Sequence, residues 1–323
     1  MERRRFALVT LAALASPRFV LAQRTYRIAV LIHGTERSQG RRFDALRAGL
    51  KEHGYVEGRN LSFAVRWNEG NLERLPDLAA ELLREKPDAF VCAPVLAAAA
   101  VQKHTRTVPI VIGYGAGAVK IGLAKSFARP GTNVTGLETQ TEDLIQKHME
   151  LLKTVVPAVS RLGVLNTGKY IFHEEAWRAA TQAAQVLRIV LVDVRVGAPD
   201  ELTRLTSSCG NGACDGLYVM PDPNLINWRS QIIEQVSRLR LPAVYFQPEF
   251  VHEGGLISYS ADIEDMFRRA AGYIDKIFKG AKPAELPIER PSKFELIINL
   301  KTARALGLTI PDAVLVRADR LIK

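Results

Sequence analysis

The sequence predicts an α/β protein built of two Rossmann-like parallel-sheet lobes joined by a hinge. Three observations carry this. Short apolar runs bounded by turn residues alternate with amphipathic helical stretches, the pattern of βαβ units and a parallel sheet. The alternation starts afresh after the glycine-rich break Gly131-Thr132-Asn133-Val134-Thr135-Gly136. A proline-punctuated tail then follows that is too small for a third domain and must pack on one or both halves.

In order, Arg27–Ile32 is a continuous apolar run, as expected of a strand buried on both faces. Phe43, Leu46 and Leu50 recur at helical spacing, and Gly54 ends that helix. Leu61–Trp67 and Asp88–Ala93 read as strands, with a helical stripe of Leu75, Leu78 and Leu82 between them. Ala97–Ala100 sits in a helix, and Val108–Gly113 is a fourth strand. Gly131–Gly136 reads as the linker between the lobes.

The second half repeats the order without repeating the sequence. Leu144–Val155, Glu174–Leu187, Pro199–Ser207 and Ile226–Leu239 read as helices. Arg161–Leu165, Ile189–Val194, Gly216–Met220 and Ala243–Phe246 read as strands between and after them. In the tail, Leu256–Tyr259 is a short strand and Asp262 caps a helix with the apolar face Ile263, Phe267, Ala270, Ile274 and Phe278. Pro283, Pro287 and Pro291 form an extended connector to the strand Phe294–Asn299. The expected division is a first lobe of 26–136 plus about 254–280, and a second of 137–253 plus about 281–323.

The opening residues set the compartment. Arg3-Arg4-Arg5, the apolar run Ala7–Ala15 and the small-residue site at Ala22 read as an export signal over 1–22, loosely of twin-arginine type. The run is too short to span a bilayer, and no later stretch is apolar enough. Loss of Arg3, Arg4, Arg5, Arg18 and Glu2 with the signal lowers the formal charge from +10 to +7. The remaining basic residues are scattered, which argues against a nucleic-acid partner. Three cysteines make no disulfide scaffold. Cys209 and Cys214 flank a tight turn and could close a small loop in an oxidising compartment; Cys92 reads as a buried small hydrophobe.

Catalytic patterns are missing. There is no Gly-x-Ser-x-Gly elbow, no Walker A sequence and no metal-ligand spacing among the six histidines. No cofactor is expected. Gly113-Tyr114-Gly115-Ala116-Gly117 follows a strand but lacks the acid and helix start of a dinucleotide site; its glycines let backbone approach a ligand. His53, His104 and His148 fall on helices and read as solvated.

Ligands of open parallel sheets bind beyond the carboxyl ends of the strands. That places the candidate ligand-binding residues at His33 and Thr35, Ala93 and Pro94, and Tyr114 and Gly115 in the first half. In the second half they are Asn166, Asp222, Phe246 and Glu249, with Tyr259 from the tail. His33 is equally a ligand contact or a plain loop residue. Asp222 and Glu249 are either acids facing a ligand amine or caps and surface carboxylates. Tyr114, Phe246 and Tyr259 either stack on a planar ligand or belong to lobe core.

Several long stretches carry a family resemblance. They are Gly54–Asn60 (GYVEGRN), Arg74–Leu82 (RLPDLAAEL), Ala128–Gly136 (ARPGTNVTG), Gly254–Tyr259 (GGLISY), Asp275–Pro283 (DKIFKGAKP) and Lys293–Ala303 (KFELIINLKTA). In order and over nearly the whole chain, they resemble the ABC transporter substrate-binding proteins that include tryptophan-binding members. The resemblance implies a type I periplasmic-binding fold and a periplasmic, monomeric protein. Its partners would be a small-molecule solute, amino-acid-like or else an aromatic compound or a carboxylate, and a membrane permease with its cytoplasmic ATPase. Members commonly carry Asp-Pro where this chain has Gly117-Ala118, with Lys120 close by. Losing that acid and gaining a lysine predicts a neutral or anionic solute. A sensor domain feeding a receptor, and a secreted two-domain α/β enzyme, remain alternatives at this level.

Overall fold

The computed structural model describes residues 24–139 and 141–323; the export signal expected over 1–22 lies outside them. The strands are β1 (Tyr26–Ile32), β2 (Leu61–Trp67), β3 (Ala89–Ala93), β4 (Ile110–Ile112), β5 (Val134–Gly136), β6 (Arg161–Asn166), β7 (Val190–Arg195), β8 (Gly216–Val219), β9 (Ala243–Tyr245), β10 (Ile257–Ala261), β11 (Phe294–Asn299) and β12 (Arg320–Ile322). The helices are α1 (Glu36–Glu52), α2 (Leu75–Arg84), α3 (Val95–His104), α4 (Thr141–Val155), α5 (His173–Leu187), α6 (Arg204–Cys209), α7 (Pro223–Asn227), α8 (Arg229–Arg238), α9 (Pro248–His252), α10 (Ile263–Phe278), α11 (Leu300–Leu306) and α12 (Asp312–Leu315).

Two sheets result, of order β2-β1-β3-β4-β5 and β12-β11-β10-β9-β8-β6-β7. The first is parallel throughout, with Val30 level with Val65 on one side and Val91 on the other. The second is parallel except where β10 meets β11, with Ser258 opposite Ile297. The apolar runs of β1 and β3 follow from burial on both faces: α1 and α10 cover one face, α2 and α3 the other. In the second lobe α4, α5 and α11 cover one face, and α6, α8 and α9 the other.

Three readings change. Gly131–Gly136 is not only a linker, because Val134–Gly136 adds β5 to the edge of the first sheet. The helix expected over 226–239 breaks at Trp228 into α7 and α8. The tail also divides differently from the expected split. β10 pairs β9 in the second sheet, whereas α10 packs its face of Met266, Phe267, Ala270 and Ile274 into the core of the first lobe. Residues 283–289 then stay on the first lobe, where Ile288 is buried and the Thr135 hydroxyl donates to the Leu286 carbonyl at 2.8 Å. β11 returns to the second sheet. The chain therefore crosses between lobes after β5, after β10 and before β11. Cys209 and Cys214 are joined as a disulfide at the end of α6, and Cys92 is a buried free thiol. Among the described residues no helix is long and apolar enough to cross a membrane.

Candidate functional site

A cavity of about 90 Å³ lies between the lobes, several times the ~10–15 Å³ that one water needs. It sits beyond the carboxyl ends of β1, β3 and β4 on one side and of β8, β9 and β10 on the other. The first lobe contributes His33, Pro94, Tyr114 and Gly115, and the second contributes Asp222 and Phe246. These six candidates come together around one cavity.

The other five do not. Thr35 caps α1, its hydroxyl accepting from the Ser38 backbone N–H at 3.2 Å in a capping box. Ala93 points into the first-lobe core. Asn166 stays within its lobe, donating to the Val164 carbonyl at 3.1 Å and to Asp193 at 2.7 Å. Tyr259 stacks on Phe294 with ring centroids 5.7 Å apart. Glu249 stands behind the cavity wall, paired at 2.5 Å with Arg42 of α1.

His33 is buried and oriented by Asn68, whose amide is itself fixed. Its oxygen accepts from the Gly34 backbone N–H and its nitrogen donates to the Asn71 carbonyl. That nitrogen also lies 2.9 Å from His33 Nδ1. Nδ1 must therefore accept, which leaves the ring proton on Nε2. Nε2 faces the second lobe, toward the Pro223 backbone carbonyl that can accept its proton. Burial lowers the His33 pKa, which favours the neutral ring. Asp222 caps α7, accepting from the Asn224 backbone N–H at 2.8 Å and from the Thr167 hydroxyl; burial raises its pKa.

Residue-level reading missed Tyr170, His148 and Gln39, which line the cavity together with Gln247, a rim residue that the end of β9 does predict. His148 corrects an expectation, being fully buried rather than solvated. Its Nε2 lies 2.5 Å from the Tyr259 carbonyl and its Nδ1 3.3 Å from the Tyr218 hydroxyl. Burial pushes its pKa down to about 4. The signal was present in the spacing: Ile145, His148, Met149 and Leu152 fall at i, i+3, i+4 and i+7, one helix face. Gln39, Arg42, Phe43 and Leu46 repeat that spacing on α1.

The lobes meet around the cavity. Besides Arg42–Glu249, the Asn227 side chain donates to the Gly70 carbonyl at 3.2 Å. Lys120 pairs with Glu175 of α5, its Nζ 5.2 Å from the Phe172 ring. Lys120 thus serves the seam and not the cavity wall, so the expected neutral or anionic solute rests on the missing acid alone. Gly117, at φ +89°, lies directly under Phe172: a Cβ there would stand 2.0 Å from the ring. Glu138 braces this loop, accepting from the Gly117 and Ala118 backbone N–H groups at 2.5 and 2.9 Å.

A tyrosine-binding protein of Clostridioides difficile is 25% identical over 80% of this chain and 74% of its own length. A conserved domain protein of Vibrio cholerae is 27% identical, with a TM-score of 0.85 over 92% of this chain and all of its own. An ABC domain from Streptococcus pneumonia in complex with L-Trp, 24% identical over the same shares, has a TM-score of 0.84 and shares the fold. The model of ABC transporter substrate binding proteins matches residues 27–322, and the chain belongs to that family.

Proposed function

We propose that this chain is the extracytoplasmic solute receptor of an ABC importer, closing its lobes over one aromatic amino acid or a closely similar aromatic carboxylate. The observation that carries the reading is the cavity between the lobes. Both lobes wall it, Tyr114, Tyr170 and Phe246 face it, and its surface is mainly apolar with interspersed polar side chains such as Gln39, Asp222 and Gln247. Such a site suits a planar ring with a small polar end. The tyrosine-binding and L-Trp-bound proteins above bear on the same class. His33, Pro94, Tyr114, Gly115, Asp222 and Phe246 are proposed as ligand contacts, joined by Tyr170. Hinge motion at the three crossings opens and closes the lobes. The closed form is then presented, as a monomer, to a permease driven by a cytoplasmic ATPase. Export of the chain, as the basic and apolar opening suggests, puts it on the side where solute is captured.

Isothermal titration of refolded, ligand-free protein against amino acids, aromatic carboxylates, sugars and nucleobases tests this. Saturable binding of L-tryptophan or L-tyrosine at micromolar Kd or below, about −8 kcal/mol or better, is the expected result. Binding confined to a sugar or nucleobase, or turnover of any compound, overturns it.

A further inference from the structure

Arg42 is buried behind the cavity wall and does not line it. A guanidinium can only donate hydrogen bonds. Its Nη1 donates to Gln39 Oε1 at 2.5 Å and to the Tyr114 hydroxyl oxygen at 3.3 Å. Its Nη2 donates to Gln247 Oε1 at 3.3 Å and to Glu249 at 2.5 Å. Gln39, Tyr114 and Gln247 each carry both a donor and an acceptor, and each commits its acceptor to Arg42. What remains is two amide NH₂ groups and one phenolic O–H. None of the three meets an acceptor among the described side-chain bonds, and all three side chains line the cavity. The Ser260 hydroxyl, on the same wall, is buried without a partner. Glu249 offsets the charge of Arg42, and no Lys or Arg is among the residues that line the cavity.

Donors that face the cavity lose their water when a solute fills it, which is costly unless the solute accepts from them. An ionised carboxylate is acceptor-only and offers about four lone-pair sites. We propose that Arg42, a positioning residue that never touches the solute, turns Gln39, Tyr114 and Gln247 into a donor-only cradle for the solute's carboxylate. Gln39 and Tyr114 come from the first lobe and Gln247 from the second, so a carboxylate seated there bridges the lobes. Recognition is by neutral donors, which sets it apart from capture by an exposed cation. The inference rests on the reading of the cavity as a solute site and names the group that orients the solute in it.

The test is calorimetric titration of wild type, Gln247→Glu, Gln39→Glu and Arg42→Lys with L-tryptophan, L-tyrosine, tryptamine, tyramine and indole-3-propionate. Wild type is expected to bind the carboxylates and to discriminate against the matched amines. Each Gln→Glu change replaces a donor by a carboxylate, and should weaken carboxylate binding by roughly tenfold or more, the worth of a charge-assisted hydrogen bond, while sparing or improving the amines. Arg42→Lys offers three N–H donors on one nitrogen where Arg42 reaches four acceptors through two, and should shrink the carboxylate-to-amine ratio in the same direction, an effect that general loosening would not have. If wild type binds an amino acid and the ratio survives in all three variants, the cradle is wrong and the proposed function stands. If only indole-3-propionate binds, and the variants weaken it, the cradle stands and the amino-acid reading falls. If no carboxylate binds wild type, both fall.

Discussion

Gly117 shows how one missing atom sets the seam between the lobes. The resemblance raised the expectation of an aspartate at this position; here a bare backbone at positive φ admits the Phe172 ring into the space a Cβ would take. Gly117→Ala should therefore leave each lobe folded but hold the seam ajar, at a cost of about 1–3 kcal/mol from overpacking and backbone strain. The expected outcome is solute affinity weakened by about tenfold, with the unliganded melting temperature lowered by a few degrees through the backbone strain. Gly117→Ala combined with Phe172→Ala should recover part of the loss; no recovery in calorimetry would mean that Phe172 is not the obstruction. The departure was legible in the sequence as a lost acid. Its reason was not, because Phe172 lies far along the chain and only tertiary packing brings it to Gly117. Six of the eleven candidate contacts reached the cavity wall, since strand ends predict that place in a parallel sheet. Glu249 and Asn166 also lie at or after strand ends but are taken by neighbouring side chains, Arg42 and Asp193, and strand-end reasoning does not see side-chain partners.

At the scale of elements, α4 is pinned to the second sheet by a neutral histidine. His148 reaches the Tyr259 carbonyl of β10 and the Tyr218 hydroxyl of β8. Its pKa of about 4 lies below its ordinary value of 6.5. Between those values the unfolded chain binds a proton that the folded chain refuses, so stability rises with pH through this window. The contribution is complete above about pH 6.5 and is lost as pH falls toward 4, by ~3 kcal/mol in all. Urea denaturation at pH 4.5 and 7.5 should show a larger acid-induced drop for wild type than for His148→Gln. Equal drops would mean that His148 is protonated without penalty. Long elements were readable because their apolar spacing is set by local geometry. β5 and β12, three residues each, and the break between α7 and α8 at Trp228 were not readable. An edge strand of three residues has no period to detect, and it forms because a neighbouring strand supplies the hydrogen-bond ladder.

At the scale of the molecule, the lobes are not separable pieces of chain. α1 needs α10: the two approach so closely that a Cβ on Gly49 would stand 2.5 Å from the Arg268 carbonyl oxygen. Met266, Phe267 and Ile274 fill the core of the first lobe from the far end of the sequence. At about 1.5–3 kcal/mol for each buried side chain, their absence approaches the whole ~5–15 kcal/mol stability of an ordinary domain. A fragment of residues 24–139 should therefore lack a cooperative thermal transition in near-ultraviolet dichroism, and linking residues 262–289 to it should restore one. A cooperative transition in the short fragment would show that α10 is dispensable. Two lobes could be read from the sequence because each repeats the strand-helix order. The crossing of the tail could not, since an apolar face on α10 does not say which lobe it covers. That arrangement also dictates a timetable. As the nascent chain leaves the ribosome, Phe43, Leu46 and Leu50 emerge long before the helix that shields them. At ~5–20 residues per second, this sticky stripe waits ~10–40 s for its cover. The newborn protein therefore needs a holding chaperone or prompt translocation through that interval.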